Sequence, residues 1–183
     1  MTPRQKLLAA ADELFYNEGI RSVGIDRVIE KAGVAKGSLY YNFSGKDDLI
    51  KDYLVGRHAA WTTRMDAAIL AEADPKAKVL VVFDVLGELF AEPDYRGCAF
   101  MNAVAGAPQG GPEFAAAANF RKRLHGMFDD LVAPLGVQDA ALVSGQLIIL
   151  YDGAVAAAQM DASPAAAQMA KTLAAMLLEI AGS

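Results

Sequence analysis

Five polar side chains lie close together in one short stretch of the chain: Lys36, Ser38, Tyr40, Tyr41 and Asn42. They supply an ammonium group, three hydroxyls and an amide, and they include no plausible pair of a nucleophile and a base. Lysine and tyrosine side chains reach phosphate oxygens, while serine, tyrosine and asparagine can meet the edges of bases. The stretch therefore predicts recognition of a nucleic acid by hydrogen bonding rather than catalysis.

The residues around this stretch are spaced as in two helices joined by a tight turn. Apolar residues recur at helical spacing from Ile25 to Ile29, Gly33 follows, and Leu39 and Phe43 lie four residues apart. Glycine permits the positive φ that a tight turn between helices requires. We predict a helix-turn-helix in which Leu39 and Phe43 hold the second helix in place and the polar residues face outward.

Helix signals continue along the whole chain, and strand signals are nearly absent. A capping box at Ser44 to Asp47 predicts the longest helix, from Asp47 to about Ala73, and a short helix is expected from Cys98 to Ala105. Four further starts place a proline directly after an N-cap, at Thr2-Pro3, Asp74-Pro75, Gly111-Pro112 and Ser163-Pro164. We therefore expect an all-α fold.

Composition restricts the class of protein. The chain has 183 residues, 54% of them hydrophobic, and a net charge of −5. Residues 1–58 contain nine basic and eight acidic side chains, a net of +1, whereas the remainder carries −6. The acidic excess is thus separated from the stretch that is predicted to meet phosphates, and the affinity must come from the positions of a few cations.

Motifs of enzymes and metal sites are missing from the sequence. A single cysteine cannot form an internal disulfide or a cysteine-based zinc site, and His58 and His125 have no metal-ligand spacing. No phosphate-binding loop, zinc-protease motif or nucleophile elbow occurs. We expect no catalytic residues, no metal and no cofactor.

Neither export nor a membrane span is expected. Residues from Met1 onward show no signal-peptide pattern, and the most apolar stretch, Ala140 to Met160, is interrupted by Ser144, Gln146 and Asp152. These observations predict a cytoplasmic protein without a membrane partner.

The stretch from Leu7 to Leu54 resembles the DNA-binding domain of the TetR (tetracycline-repressor) family of bacterial transcriptional regulators. The likeness rests on AA-x-x-LF-x-x-x-G in the first helix, AGVAKGSLYYNF in the turn and recognition helix, and the lysine and aspartate that start the fourth helix. Three positions depart from the family: Gly24 replaces the usual Ser or Thr cap, Ile29 replaces the usual alanine of the second helix, and Asn42 replaces the usual His or Tyr. The departure at Asn42 changes the chemistry of the contacts, so the operator of another member is not carried over to this protein.

The resemblance implies an N-terminal three-helix DNA-binding domain, joined by a long helix to a C-terminal helical domain for ligand binding and dimerisation. We place these domains at 1–46 and 47–183. Carried onto this sequence, Lys36, Tyr40 and Lys46 would contact phosphates, while Ser38, Tyr41 and Asn42 would face bases or the adjoining backbone.

A homodimer on a palindromic double-stranded DNA operator is expected, because one short recognition helix reads too few base pairs. Its interface would use the last two helices, at Ala140 to Met160 and Pro164 to Ile180. A small hydrophobic effector would release the repressor. Side chains that could line the effector pocket are Trp61, Met65, Phe83, Phe90, Phe100, Asn102, Phe120 and Tyr151, with Asn102 and Tyr151 as the polar groups.

Two alternatives stay open at this point. Cys98, beside Gly97, could make the protein a redox-responsive repressor, although a small buried residue is the simpler interpretation. The chain could also be a helical ligand-binding or interaction module that does not bind DNA. The sequence fixes neither the effector nor the operator.

Overall fold

The computed structural model describes residues 1–182, and within them the chain forms nine α-helices and one 3₁₀ turn, with no strand. The all-α prediction is confirmed. The helices are α1 (Pro3–Glu18), α2 (Ile25–Ala32), α3 (Lys36–Asn42), α4 (Lys46–Ala71), α5 (Pro75–Phe90), α6 (Ala99–Ala105), α7 (Pro112–Val132), α8 (Ala140–Asp161) and α9 (Ala165–Ala181), and the 3₁₀ turn spans Ala133–Leu135.

The chain folds into two compact units. The first unit consists of Met1–Ala59 and Cys98–Phe120, and the second of residues 60–97 and 121–182. Helices α4 and α7 each contribute residues to both units. The first unit therefore contains α1, α2, α3 and α6 in full, and the second contains α5, α8 and α9.

Helix α1 begins and ends at the residues that the sequence predicts. The Thr2 hydroxyl accepts a hydrogen bond from the backbone N–H of Gln5, and the Gln5 side chain accepts one from the Thr2 backbone N–H, which completes a capping box. Gly19, at φ 87°, ends the helix. Leu7, Leu14 and other apolar residues on one face are buried, so α1 is the element on which the neighbouring short helices pack.

Helix α4 starts close to the predicted residue but with a different cap. The Ser44 backbone N–H donates to Oδ2 of Asp48, at 3.2 Å, whereas the sequence pattern had pointed to Asp47. Because the first helical residue is Lys46, Asp48 rather than Asp47 is the carboxylate that can turn back to Ser44.

In the second unit, α9 packs against α5 and α8. The Asp74 carboxylate caps α5 by accepting from the Ala77 N–H at 2.8 Å, as predicted. Helix α9 begins at Ala165, one residue later than expected, because Pro164 occupies the N-cap position and the Ser163 hydroxyl accepts from the Ala165 N–H.

By length and apolar composition alone, one helix in the described part of the chain, α8, could cross a membrane. A core helix of a soluble protein has the same properties. Helix α8 buries Val143, Leu147, Tyr151 and Val155 along its length, and Oγ of its buried Ser144 donates to Oδ1 of Asp129. These contacts lie on one side of α8, and other large apolar residues of the helix, such as Leu142 and Ile149, are exposed.

Candidate nucleic-acid interface

The turn between α2 and α3 depends on one glycine. Gly33 has φ 61° and ψ 41°, and its N–H donates to the carbonyls of Glu30 and Ile29. A side chain at this position would meet no atom within 4 Å, so the left-handed backbone, and not a lack of space, explains why glycine is needed here. The turn at Gly33 lets α3 pack against α1 and α2.

Two apolar anchors hold α3 in place. Leu39 is fully buried, and Phe43, at the C-cap, is 2% exposed. The Arg4 guanidinium carbon lies 5.3 Å from the centroid of the Phe43 ring. Since α3 has only seven residues and its N-cap, Ala35, offers no side-chain hydrogen bond, these anchors rather than helix propensity fix its position.

The opposite face of α3 is open to solvent. Tyr41 is 90% exposed, Tyr40 is 56% exposed, and Lys36 is also exposed. Ser38 and Asn42 are half-buried, and Nδ2 of Asn42 donates to the Ser38 carbonyl at 2.6 Å. The structure thus brings five of the six predicted DNA-contacting residues together on one short helix.

Lys36 has a partner that the sequence pattern did not reveal. Its Nζ donates to Oδ1 of Asp26 on α2 at 2.8 Å, and this hydrogen bond and charge raise the pKa of Lys36. Both side chains are well exposed. An exposed ion pair is weak and easily exchanged, so a phosphate can replace Asp26 at little cost.

Lys46, the sixth predicted residue, lies away from α3 at the first position of α4. It is half-buried, with Nζ 6.0 Å from the centroid of the Phe15 ring. Burial lowers its pKa, and the nearby Arg21 guanidinium lowers it further. Arg21 is a second cation at this position that sequence reasoning missed, because nothing in the spacing of residues 21 and 46 signals their proximity.

Most other cations of the first unit are neutralised by the unit's own carboxylates. Ion pairs join Arg4 to Asp52, Arg27 to Glu18, Lys31 to Glu13 and Arg57 to Asp12. This pairing agrees with the near-neutral charge of residues 1–58. A few positions, and not an overall basic surface, must therefore supply attraction to phosphates.

Three of the predicted effector-lining residues lie in the first unit. The Phe100 and Phe120 rings stack with centroids 4.3 Å apart, and His58 meets both rings edge-on at 6.1 Å. Asn102 borders a cavity of about 20 Å³, which is large enough for a water molecule only.

The other five lie in the second unit. Met65, Phe83 and Phe90 are buried, and Nε1 of Trp61 donates to the Tyr151 hydroxyl at 3.0 Å. The predicted set is therefore divided between the two units, and its role in ligand binding stays a prediction. Within residues 1–182, no group of three or more His, Cys, Asp or Glu side chains could hold a metal ion.

Comparison with known proteins identifies the family. Residues 7–53 match the model of the bacterial regulatory proteins of the tetR family. The crystal structure of SCO4454, a TetR-family transcriptional regulator from Streptomyces coelicolor, is 33% identical, with a TM-score of 0.93 over 99% of this chain and 90% of that chain. The chain belongs to the TetR family.

A second TetR-type structure is similar over the whole length. This is sav143 from Streptomyces avermitilis, 30% identical with a TM-score of 0.85, covering 99% of the TetR-family chain described here and 98% of its own. Among curated regulators, SrpR from Pseudomonas putida is 35% identical over 54 residues, which are 30% of this chain and only 25% of SrpR.

Membership of the TetR family confirms two predictions. The helix-turn-helix is the DNA-binding domain of a transcriptional regulator, and the family consists of regulators and not of enzymes. The site residues on α3 and α4 remain predictions.

Proposed function

We propose that this TetR-family regulator is a cytoplasmic, ligand-responsive repressor that binds a palindromic operator as a homodimer and is released by a small hydrophobic effector. In this proposal residues 1–46 bind DNA, and residues 47–183 bind the effector and pair the two copies. The observation that carries it is helix α3, which exposes Lys36, Tyr40 and Tyr41 while burying Leu39 and Phe43.

The exposed side chains of α3 suit a major groove. Tyr40 and Lys36 reach phosphates, and Tyr41, the most exposed of the three, meets base edges together with Ser38 and Asn42. A helix held by two buried anchors presents these groups in a fixed geometry, which lowers the entropy that is lost on binding.

A second copy of the chain is the proposed partner of α8 and α9. On α9 the residues that are buried within the unit, such as Ala174 and Leu178, lie opposite a row of large apolar side chains open to solvent. Helix α8 has a similar outward row. The exposed residues are Leu142, Ile149, Met160, Met169, Leu173, Met176 and Ile180, each more than half exposed.

Two such faces on neighbouring helices pair with the same faces of a second copy as a four-helix bundle. This pairing sets the distance between the two recognition helices, which must be about 34–36 Å to meet successive major grooves. An effector that prefers a dimer with another spacing releases the operator.

The DNA-binding part is tested by fluorescence anisotropy with the intergenic DNA next to the gene, over a range of salt concentrations. Lys36→Ala and Lys46→Ala are expected to weaken binding to all sequences and to lower the salt slope by about one each. Lys122→Ala is the matched control, because Lys122 is an exposed lysine on α7 in the second unit. An unchanged affinity and salt slope for both lysine variants would refute the phosphate contacts.

The dimer is tested by analytical ultracentrifugation of Leu173→Glu and Met176→Glu. Each charge would be buried at the proposed interface, so we expect monomers and a loss of operator binding. Leu70→Glu is the control, because Leu70 is 85% exposed on α4 and is not part of the row. Dimers that persist in both α9 variants would place the interface elsewhere.

A further inference from the structure

The first unit contains a cavity to which the proposed function assigns no ligand, although one of its lining residues, Lys46, is also a proposed phosphate contact. Its volume is about 200 Å³, and no residue of α3 lines it. The apolar walls are Ile20, which follows α1, Ile50 on α4, Pro108 in the loop between α6 and α7, and Pro112 at the start of α7. A cavity of about 150 Å³ with apolar walls is large enough for benzene, so this one has room for a small ring bearing one polar group.

Two cations, Arg21 and Lys46, share the wall of this cavity. They lie near enough for the Arg21 charge to lower the pKa of Lys46, in addition to the effect of burial. Neither takes part in an ion pair in the part of the chain that the structure describes, whereas five other basic side chains of residues 1–59 do. Because no carboxylate pairs directly with either cation, both keep hydrogen-bond donors for an anion, although Asp47 and Glu113 on the same walls offset their charge.

A buried carboxylate, Glu113, also lines the cavity. It is 4% exposed, and its Oε2 has no hydrogen-bond partner. Its charge acts on Lys46 and opposes the effect of Arg21, without a direct ion pair. Buried polar atoms without partners are rare in folded proteins, and this oxygen is an acceptor that a water can complete but the carboxylate of a ligand cannot.

We propose that this cavity binds a small monocarboxylate with an apolar body. The carboxylate would lie against Arg21 and Lys46, and the apolar body against Ile20 and Ile50. A singly charged anion suits the cavity better than a phosphate dianion, because Asp47 and Glu113 on the same walls already balance the two cations.

The test uses benzoate as the probe and the isoleucine δ1 methyl signals of the full-length chain as the readout. Without DNA present, benzoate should shift the Ile20 and Ile50 methyl signals saturably and leave those of Ile148 and Ile149 in the second unit unchanged. Benzamide, which has the same shape but no charge, should bind at least about tenfold more weakly, because charge-assisted hydrogen bonds are replaced by neutral ones.

Charge variants then locate the site. Arg21→Gln and Lys46→Gln should each weaken benzoate binding about tenfold, Arg21→Lys should retain most of it, and Glu113→Gln should strengthen it severalfold by removing a like charge. Lys51→Gln is the matched control, since Lys51 is an exposed lysine on α4 that does not line the cavity.

Four results would overturn the proposal. These are the absence of a saturable shift at Ile20 and Ile50, equal binding of benzamide, unchanged affinity in Arg21→Gln, and shifts confined to the isoleucines of the second unit. All measurements are made on DNA-free protein, so a failure of this proposal can be distinguished from a failure of the proposed operator binding or dimerisation.

Discussion

The recognition helix allows a sharp test, because Leu39 and Tyr41, two residues apart, should respond differently when each is truncated to alanine. Leu39 is 0% exposed on a helix that packs against α1 and α2, so Leu39→Ala removes a fully buried side chain. Such truncations cost about 3 kcal/mol of unfolding free energy. In a unit of this size, that loss lowers the melting temperature by roughly 12–24 °C.

Tyr41→Ala should leave the melting temperature almost unchanged, although it removes a larger side chain. Tyr41 is 90% exposed, and surface substitutions usually change the unfolding free energy by less than about 0.5 kcal/mol. The same variant is expected to alter operator preference. Its effect should therefore appear in DNA binding and not in stability.

Differential scanning calorimetry measures both variants, and hydrogen exchange of the 36–43 segment shows whether α3 is the region that loosens. The reasoning fails if Leu39→Ala melts within about 4 °C of the parent protein, because a shift this small matches a surface substitution. It also fails if Tyr41→Ala is destabilised as much as Leu39→Ala. Either result would mean that the division of α3 into a buried and an exposed face is wrong.

Three further predictions concern the backbone and one buried hydroxyl. Gly33→Ala should cost about 1 kcal/mol of unfolding free energy, because Gly33 has a positive φ. Gly37→Ala, inside α3 with open space around it, should instead raise the unfolding free energy by roughly 0.5–1 kcal/mol. Urea unfolding compares the two variants, and similar effects would contradict the turn geometry. Ala162, at φ 49°, is strained at the end of α8, so Ala162→Gly should stabilise the protein by about 1 kcal/mol in the same assay, and a destabilisation would count against that strain. Burial raises the pKa of the Tyr53 phenol well above its ordinary value of 10.0, so the stability that this group contributes is intact below pH 10 and is lost as the pH rises further. Tyr53→Phe should therefore lose less stability between pH 10 and pH 11 than the parent protein, and an equal loss would show that Tyr53 ionises freely.

The local signals in the sequence predicted the helices well. The capping residues Thr2 and Asp74 and the stop at Gly33 act within a few residues of themselves, so their effect can be read without knowledge of the fold. The prediction of where α4 starts was less precise, because two adjacent aspartates follow Ser44 and the sequence does not show which one accepts from the Ser44 N–H. In the structure it is Asp48.

Features that depend on distant parts of the chain could not be predicted. Arg21, Lys46 and Glu113 meet only because residues 98–120 fold back onto the first 59 residues, and no periodicity reports such a return. The pairing of Lys36 with Asp26 is similar, since it requires the angle between α2 and α3 and not only their existence. Sequence spacing could give the faces of helices, but not which faces meet.

In helix α3 the buried residues that fix its position are different from the exposed residues that are proposed to contact DNA. This separation has an evolutionary consequence. Proteins tolerate mutations only while they stay above a stability threshold. Because Lys36, Tyr40 and Tyr41 contribute little to the core, substitutions at these positions lower the unfolding free energy only slightly. Duplicated copies of this chain can therefore acquire new operators one exposed residue at a time, while Leu39 and Phe43 keep the recognition helix in place.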